Sequence, residues 1–173
     1  MGILDFFHRA SDNDGAPTSK GETQSVRRVV SALTALPTHR ARYVAAFAYL
    51  LGRVAYADHD FQPEEANEIV RILEQRADLP ADQAHLVVDI VKRQNELFGG
   101  TEDYLVSREF KEVSTREQRL GILDCLFAVA AADDIITAEE EAAARQIASE
   151  LGLSHTELVA ARMPYSAKRS VLK

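Results

Sequence analysis

Four carboxylates stand in two matched pairs: Asp58 with Glu65, and Asp133 with Glu140, seven positions apart in each case. The offset between the pairs is 75 residues. At that offset Leu51/Leu126, Val54/Val129, Ala55/Ala130, Ala57/Ala132, Glu64/Glu139 and Ile72/Ile147 are also identical. Each copy runs an apolar helix into an aspartate, crosses a short turn and enters a Glu-Glu helix start. Ten of the 27 acids fall in 58–68 and 133–141, where there is no Lys or Arg. If the two turns meet, several hard oxygen donors converge, which selects Ca²⁺ or Mg²⁺ over softer metals. Asp58, Glu65, Asp133 and Glu140 are the primary candidate ligands, and Asp60, Glu64, Asp134, Glu139 and His59 the secondary ones.

Neither turn is an EF-hand loop. In that register the first and third positions are Val54 and Tyr56, or Val129 and Ala131, whose side chains cannot ligate calcium. A purely structural reading stands beside the ligand reading. Thr137 with Glu140 is a capping-box pair, Glu64 and Glu65 complement a helix dipole, and Asp58 and Asp133 suit turn hydrogen bonds.

The elements that must hold these turns read as helices. Tyr43, Phe47, Leu50, Leu51 and Val54 form one buried stripe, and Ile122, Cys125, Leu126 and Val129 repeat it. Val26, Val29, Val30 and Leu33 predict a short helix ending near Pro37; Ile69, Ile72 and Leu73 face inward beyond the first turn. Leu86, Val87, Ile90, Val91, Leu97 and Phe98 give another stripe, stopping at Gly99-Gly100. Ser114 with Glu117 and Ser154 with Glu157 read as further capping boxes. No convincing period-two strand occurs. The expectation is an all-α bundle of seven or eight helices with an internally duplicated helix–acidic turn–helix unit.

Residues 10–22 are polar and rich in turn formers after a short apolar "ILDFF", so 1–22 read as a flexible segment, 23–162 as the helical domain, and 163–173 as a basic tail. The tail reads most simply as solvated, or as a docking element for an acidic partner or anionic lipid. Net charge of −7 argues against nucleic acid as a partner. The lack of a long uncharged apolar run leaves at most peripheral membrane contact. Cys125, inside an apolar run, reads as a core residue in a reducing, cytoplasmic setting. No P-loop, G-x-S-x-G, H-E-x-x-H or dinucleotide fingerprint is present.

The doubled "A-D-x-x-I/F-x-x-x-E" pattern resembles the TerB-like, or tellurite-resistance TerB, family over roughly residues 25–160. The same domain type forms the N-terminal part of membrane-anchored DnaJ-type co-chaperones, although no His-Pro-Asp tripeptide occurs here. The resemblance implies a seven-helix bundle whose paired acids, carried over to Asp58, Glu65, Asp133 and Glu140, form a metal or partner surface. Where the family pattern has glycine after the aspartate, this chain has His59 and Asp134, making a left-handed turn more costly. The resulting expectation is a non-enzymatic binding module with protein partners in a stress or tellurite-resistance response. A metal-dependent hydrolase using the same carboxylates, and a pure protein-interaction scaffold, are the alternatives.

Overall fold

The computed structural model describes residues 24–57, 66–77, 79–93 and 103–170. Over these residues the chain forms eight α-helices and one 3-10 segment. They are α1 (Gln24–Thr34), α2 (Thr38–Ala55), α3 (Ala66–Arg76), α4 (Ala81–Lys92), α5 (Asp103–Val113), α6 (Arg116–Ala130), α7 (Ala138–Glu150), α8 (His155–Arg162) and the 3-10 segment Met163–Lys168. The all-α bundle expected from periodicity is the fold. Among the described residues, extended pairing is limited to one isolated bridge between Ile136 and Arg169.

Helix α2 is the axis of the bundle. A single apolar stripe would have left one side wet, yet every residue from Tyr43 to Gly52 is buried. The cause is its setting: α2 packs against α1, α4, α5, α6 and α7. Alanines at 41, 45, 46 and 48 keep it thin enough for neighbours to close around it. Tyr43, Phe47 and Phe110 make an aromatic group between α2 and α5, two contacts tilted and Phe47–Phe110 edge-to-face, with centroids 5.3–6.2 Å apart.

The inward residues expected on α3, α4 and α6 are in place. Ile69, Ile72 and Leu73, then Leu86, Val87, Ile90 and Val91, then Ile122, Cys125, Leu126 and Val129 are all buried. Helix α2 packs on α7 while α3 packs on α6, a reciprocal arrangement of the segments flanking the two acidic turns. Val26, Pro63, Leu97, Phe98 and the Gly99-Gly100 stop lie outside the residues whose side chains are described.

Helix ends follow local chemistry. Thr137/Glu140 and Ser154/Glu157 form the two capping boxes read from the sequence. The box at the start of α6 is shifted by one residue. Thr115, not Ser114, is the N-cap, and its partner is Gln118, not Glu117. Ser114 instead turns its hydroxyl back to the Phe110 carbonyl at the end of α5. Helix α7 stops in a Schellman motif, with Leu153 N–H on Ala148 O at 2.9 Å and Gly152 N–H on Ser149 O at 3.0 Å. Gly152 takes the left-handed φ of 71° that this stop requires.

Replacing Thr115 by Ala removes a side-chain acceptor at the α6 N-terminus, and a cap of this kind is worth about 1 kcal/mol. Thr115→Ala is expected to lower the melting temperature by about 2–4 °C, as such a loss does in a domain of this size. Ser114→Ala should cost less than half as much. The reverse order in calorimetry would restore Ser114 as the cap.

Candidate functional site

The second acidic turn, residues 131–137, connects α6 to α7 and each of its acids has a definite setting. Asp133 is exposed, and its Oδ1 accepts the Ile135 N–H at 3.1 Å. Asp134 adopts φ 72°, the left-handed region in which a short polar side chain is tolerated better than a branched one. The left-handed turn is therefore made without glycine. Asp134 Oδ1 accepts the Lys168 ammonium at 2.7 Å, and the same ammonium donates to the Ala131 carbonyl at 2.9 Å.

Glu139 is exposed on the first turn of α7. Glu140 is buried, and its Oε2 accepts both the Thr137 N–H at 2.8 Å and the Thr137 hydroxyl at 3.0 Å. The capping reading of Glu140 is thus what its geometry uses. Asp58, His59, Asp60, Glu64 and Glu65, the first acidic turn, lie outside the described residues. The approach to that turn is described, however. Arg53, near the end of α2, donates to Glu150, the last residue of α7, at 2.7 and 3.3 Å. The second turn enters α7 at its opposite end, about 20 Å away along thirteen residues.

Among the described residues no group of three or more His, Cys, Asp or Glu side chains gathers to hold a metal ion. The donors of the second turn suit a hydrated ion held by one or two exposed acids, Asp133 and Glu139, in the manner of Mg²⁺. They do not suit a full shell of six to eight oxygens without breaking the Thr137 cap or displacing Lys168.

One carboxylate that the sequence did not single out governs this region. Glu141 is only 5% exposed and meets three arginines. Arg169 binds it in bidentate fashion at 2.7 and 2.8 Å, Arg162 at 2.5 Å, and Arg145 at 3.5 Å. A signal existed: Glu141, Ala144 and Ala148 share one helical face, so the acid sits in an inward stripe. The arginines also correct the reading of the C-terminal segment as solvated. Residues 163–170 lie against α6, the second turn and α7, holding to the chain's own acids.

A second buried polar cluster joins α2, α5 and α7. The Ser107 hydroxyl, fully buried, donates to Glu150 Oε2, Arg53 adds the pair above, and Arg53 also reaches Asp103 at 3.4 Å. Tyr49 donates its hydroxyl to Asp103 at 2.6 Å. Cys125 is sealed in the core, and burial pushes its thiol up to about 12, reinforced by Asp124. That setting makes it inert.

Burial pushes the carboxyl of Glu141 up, but hydrogen bonds from Arg169 and Arg162 outweigh it, and the result lies below the ordinary glutamate range. Glu150 behaves alike, with Arg53 and Ser107 overcoming its burial. A carboxylate depressed in the folded state contributes stability that is complete above its unfolded value, about 4.3, and is lost as pH falls through its folded value. Melting temperature should therefore fall between pH 5 and pH 3, and Glu141→Gln should flatten that slope. Breaking the cluster should also cost about 2–4 kcal/mol at pH 7, near the lower end for a buried pair because Arg162 and Arg169 are partly exposed. An unchanged acid slope in Glu141→Gln would place the titration elsewhere.

No curated protein and no solved structure matches this chain. Among the described residues, no helix is long and apolar enough to cross a membrane. The family model described as tellurite resistance protein TerB matches residues 44–163, from the first third of α2 to the end of α8. That span includes both acidic turns and most of the helical core. This chain belongs to the TerB family.

Proposed function

We propose that the chain is a binding module rather than an enzyme, acting in the cytoplasm in a tellurite-resistance or other stress response. Its ligand is a divalent cation, Mg²⁺ or Ca²⁺, taken at the acidic turns, through Asp58/Glu65 in the first and the exposed Asp133 and Glu139 in the second. Family membership supports the tellurite-resistance association. The observation that carries the rest is the affinity of the second turn for positive charge. There the Lys168 ammonium already rests between a main-chain carbonyl and a carboxylate, while Asp133 in the same turn and Glu139 at the start of α7 are exposed. Carboxyl and carbonyl oxygen are the donors that hard cations take.

A binding role also suits the titratable groups. The buried carboxylates with shifted values are locked in arginine pairs, and the groups shifted upward are Arg42, Arg76, four tyrosines and Cys125, all moved away from neutrality. None of these is poised near neutrality for proton transfer.

Calorimetric titration of the metal-free chain with Mg²⁺, Ca²⁺, Mn²⁺ and Zn²⁺ tests the reading. Saturable binding of Mg²⁺ or Ca²⁺ is expected, and the paired substitution Asp58→Asn with Asp133→Asn should weaken it at least ten-fold. Absence of binding by either hard cation, or binding untouched by both substitutions, would leave these acids as helix caps in a protein-docking scaffold. Turnover of phosphate esters that depends on added Mg²⁺ or Mn²⁺ and disappears in Asp58→Asn would instead establish the hydrolase alternative.

A further inference from the structure

The C-terminal segment Met163–Ser170 begins where the TerB match ends, and it lies across the second acidic turn. It has no core of its own: no residue of the 3-10 segment is buried, and Met163 is 65% exposed. Three anchors hold it. The Tyr165 ring stacks on Phe127 with centroids 6.4 Å apart, and its hydroxyl donates to Asp124 at 3.2 Å. Lys168 caps the Ala131 carbonyl and Asp134. Arg169 forms a bidentate pair with Glu141. Between the last two anchors the backbone pairs as a strand would. Ile136 N–H donates to Lys168 O at 2.8 Å, and Ser170 N–H donates to Ile136 O at 2.9 Å.

These are features by which a receptor reads a short peptide, here a 3-10 turn running into one extended residue: main-chain pairing at that residue, an aromatic seat, and acids at fixed register. We propose that the face made by Asp124, Phe127, Asp134, Ile136 and Glu141 is a docking site for a basic segment of a partner protein, of pattern aromatic-x-x-Lys-Arg. The chain's own Tyr165-Ser166-Ala167-Lys168-Arg169 is its resident, displaceable occupant. Displacement is feasible because Glu141 keeps Arg162 and Arg145 when Arg169 leaves, so no buried charge is stranded. The incoming segment repeats each contact that departs, and the exchange is therefore nearly balanced. The tethered copy competes at an effective concentration of about millimolar, so a partner must either offer extra contacts or be abundant. This site shares Asp134 with the second acidic turn, but the peptide titration uses no metal and the cation titration no peptide, so the failure of one reading is distinguishable from that of the other.

The test is fluorescence anisotropy with a labelled peptide of sequence MPYSAKRSVLK. It is titrated into the full chain and into the full chain carrying Lys168→Ala with Arg169→Ala, which loosens the resident segment. Saturable binding to the double variant, at least ten-fold tighter than to the unaltered chain, is expected. A peptide with Glu in place of its Lys-Arg pair should not bind, and adding Glu141→Gln to the variant should abolish binding. Should the double variant fail to melt cooperatively, Tyr165→Ala serves as the loosened chain with the same readouts. A cooperatively folded loosened chain that takes up no peptide, or takes the charge-reversed one equally well, overturns the proposal.

Discussion

The C-terminal third of the molecule is organised by one buried negative charge. Glu141 sits in the first turn of α7, where the helix dipole favours an acid but burial does not. An isolated carboxylate there would take up a proton instead of staying charged. Arg169 and Arg162 prevent this, and their geometry is demanding: a bidentate fork from one side and a single short bond from the other. Meeting that demand fixes the end of α8 and folds the following segment back over α6. The placement of Tyr165 on Phe127 and of Lys168 at the Ala131 carbonyl follows from this return.

The Arg53–Glu150 cluster solves the same problem at the other end of α7. Arg53 lies in the most thoroughly buried helix of the fold, and Glu150, Asp103 and Ser107 surround its guanidinium. Two buried ion clusters thus fasten the two ends of α7, one to the C-terminal segment and one to α2 and α5. Their value is mostly in register. A misplaced α7 would strand a charge at either end, at a cost of several kcal/mol. Exposed pairs such as Arg71–Glu68 have no comparable leverage, since water compensates either partner when the pair opens.

The helices were legible because apolar residues recur at helical spacing, and Thr137/Glu140 and Ser154/Glu157 were legible because the capping box is local. The α6 start was misplaced by one residue because Ser114 and Thr115 are adjacent hydroxyls, each with a polar side chain three positions on. The end of α5 decides between them, by accepting the Ser114 hydroxyl. Glu141 shares a helical face with Ala144 and Ala148, and Arg53 interrupts an apolar run, signals that sequence analysis did not use. Arg145 is a local i,i+4 partner, but the two closer arginines of Glu141 are 21 and 28 residues away and Glu150 is 97 from Arg53, and no local pattern encodes such pairings. The basic tail looked solvated for the same reason: its acids are supplied by distant elements.

The two acidic segments share most of a motif, yet they are not chemically equivalent. At the 75-residue offset, Glu141 corresponds to Ala66, a buried residue of α3 with no charge to offer. An arginine-bearing segment can be held beside the second turn and gains nothing at the corresponding position of the first. The acids Asp134 and Glu141, which stand where the first segment has His59 and Ala66, therefore hold the C-terminal segment at the second turn. Holding it there also divides the acids of that turn by role. Glu140 and Glu141 are taken up in capping and ion pairing and Asp134 by Lys168, which leaves Asp133 and Glu139 at the surface. Whatever positive group the second turn recognises must either use those two exposed acids or compete with Lys168 and Arg169 for the rest.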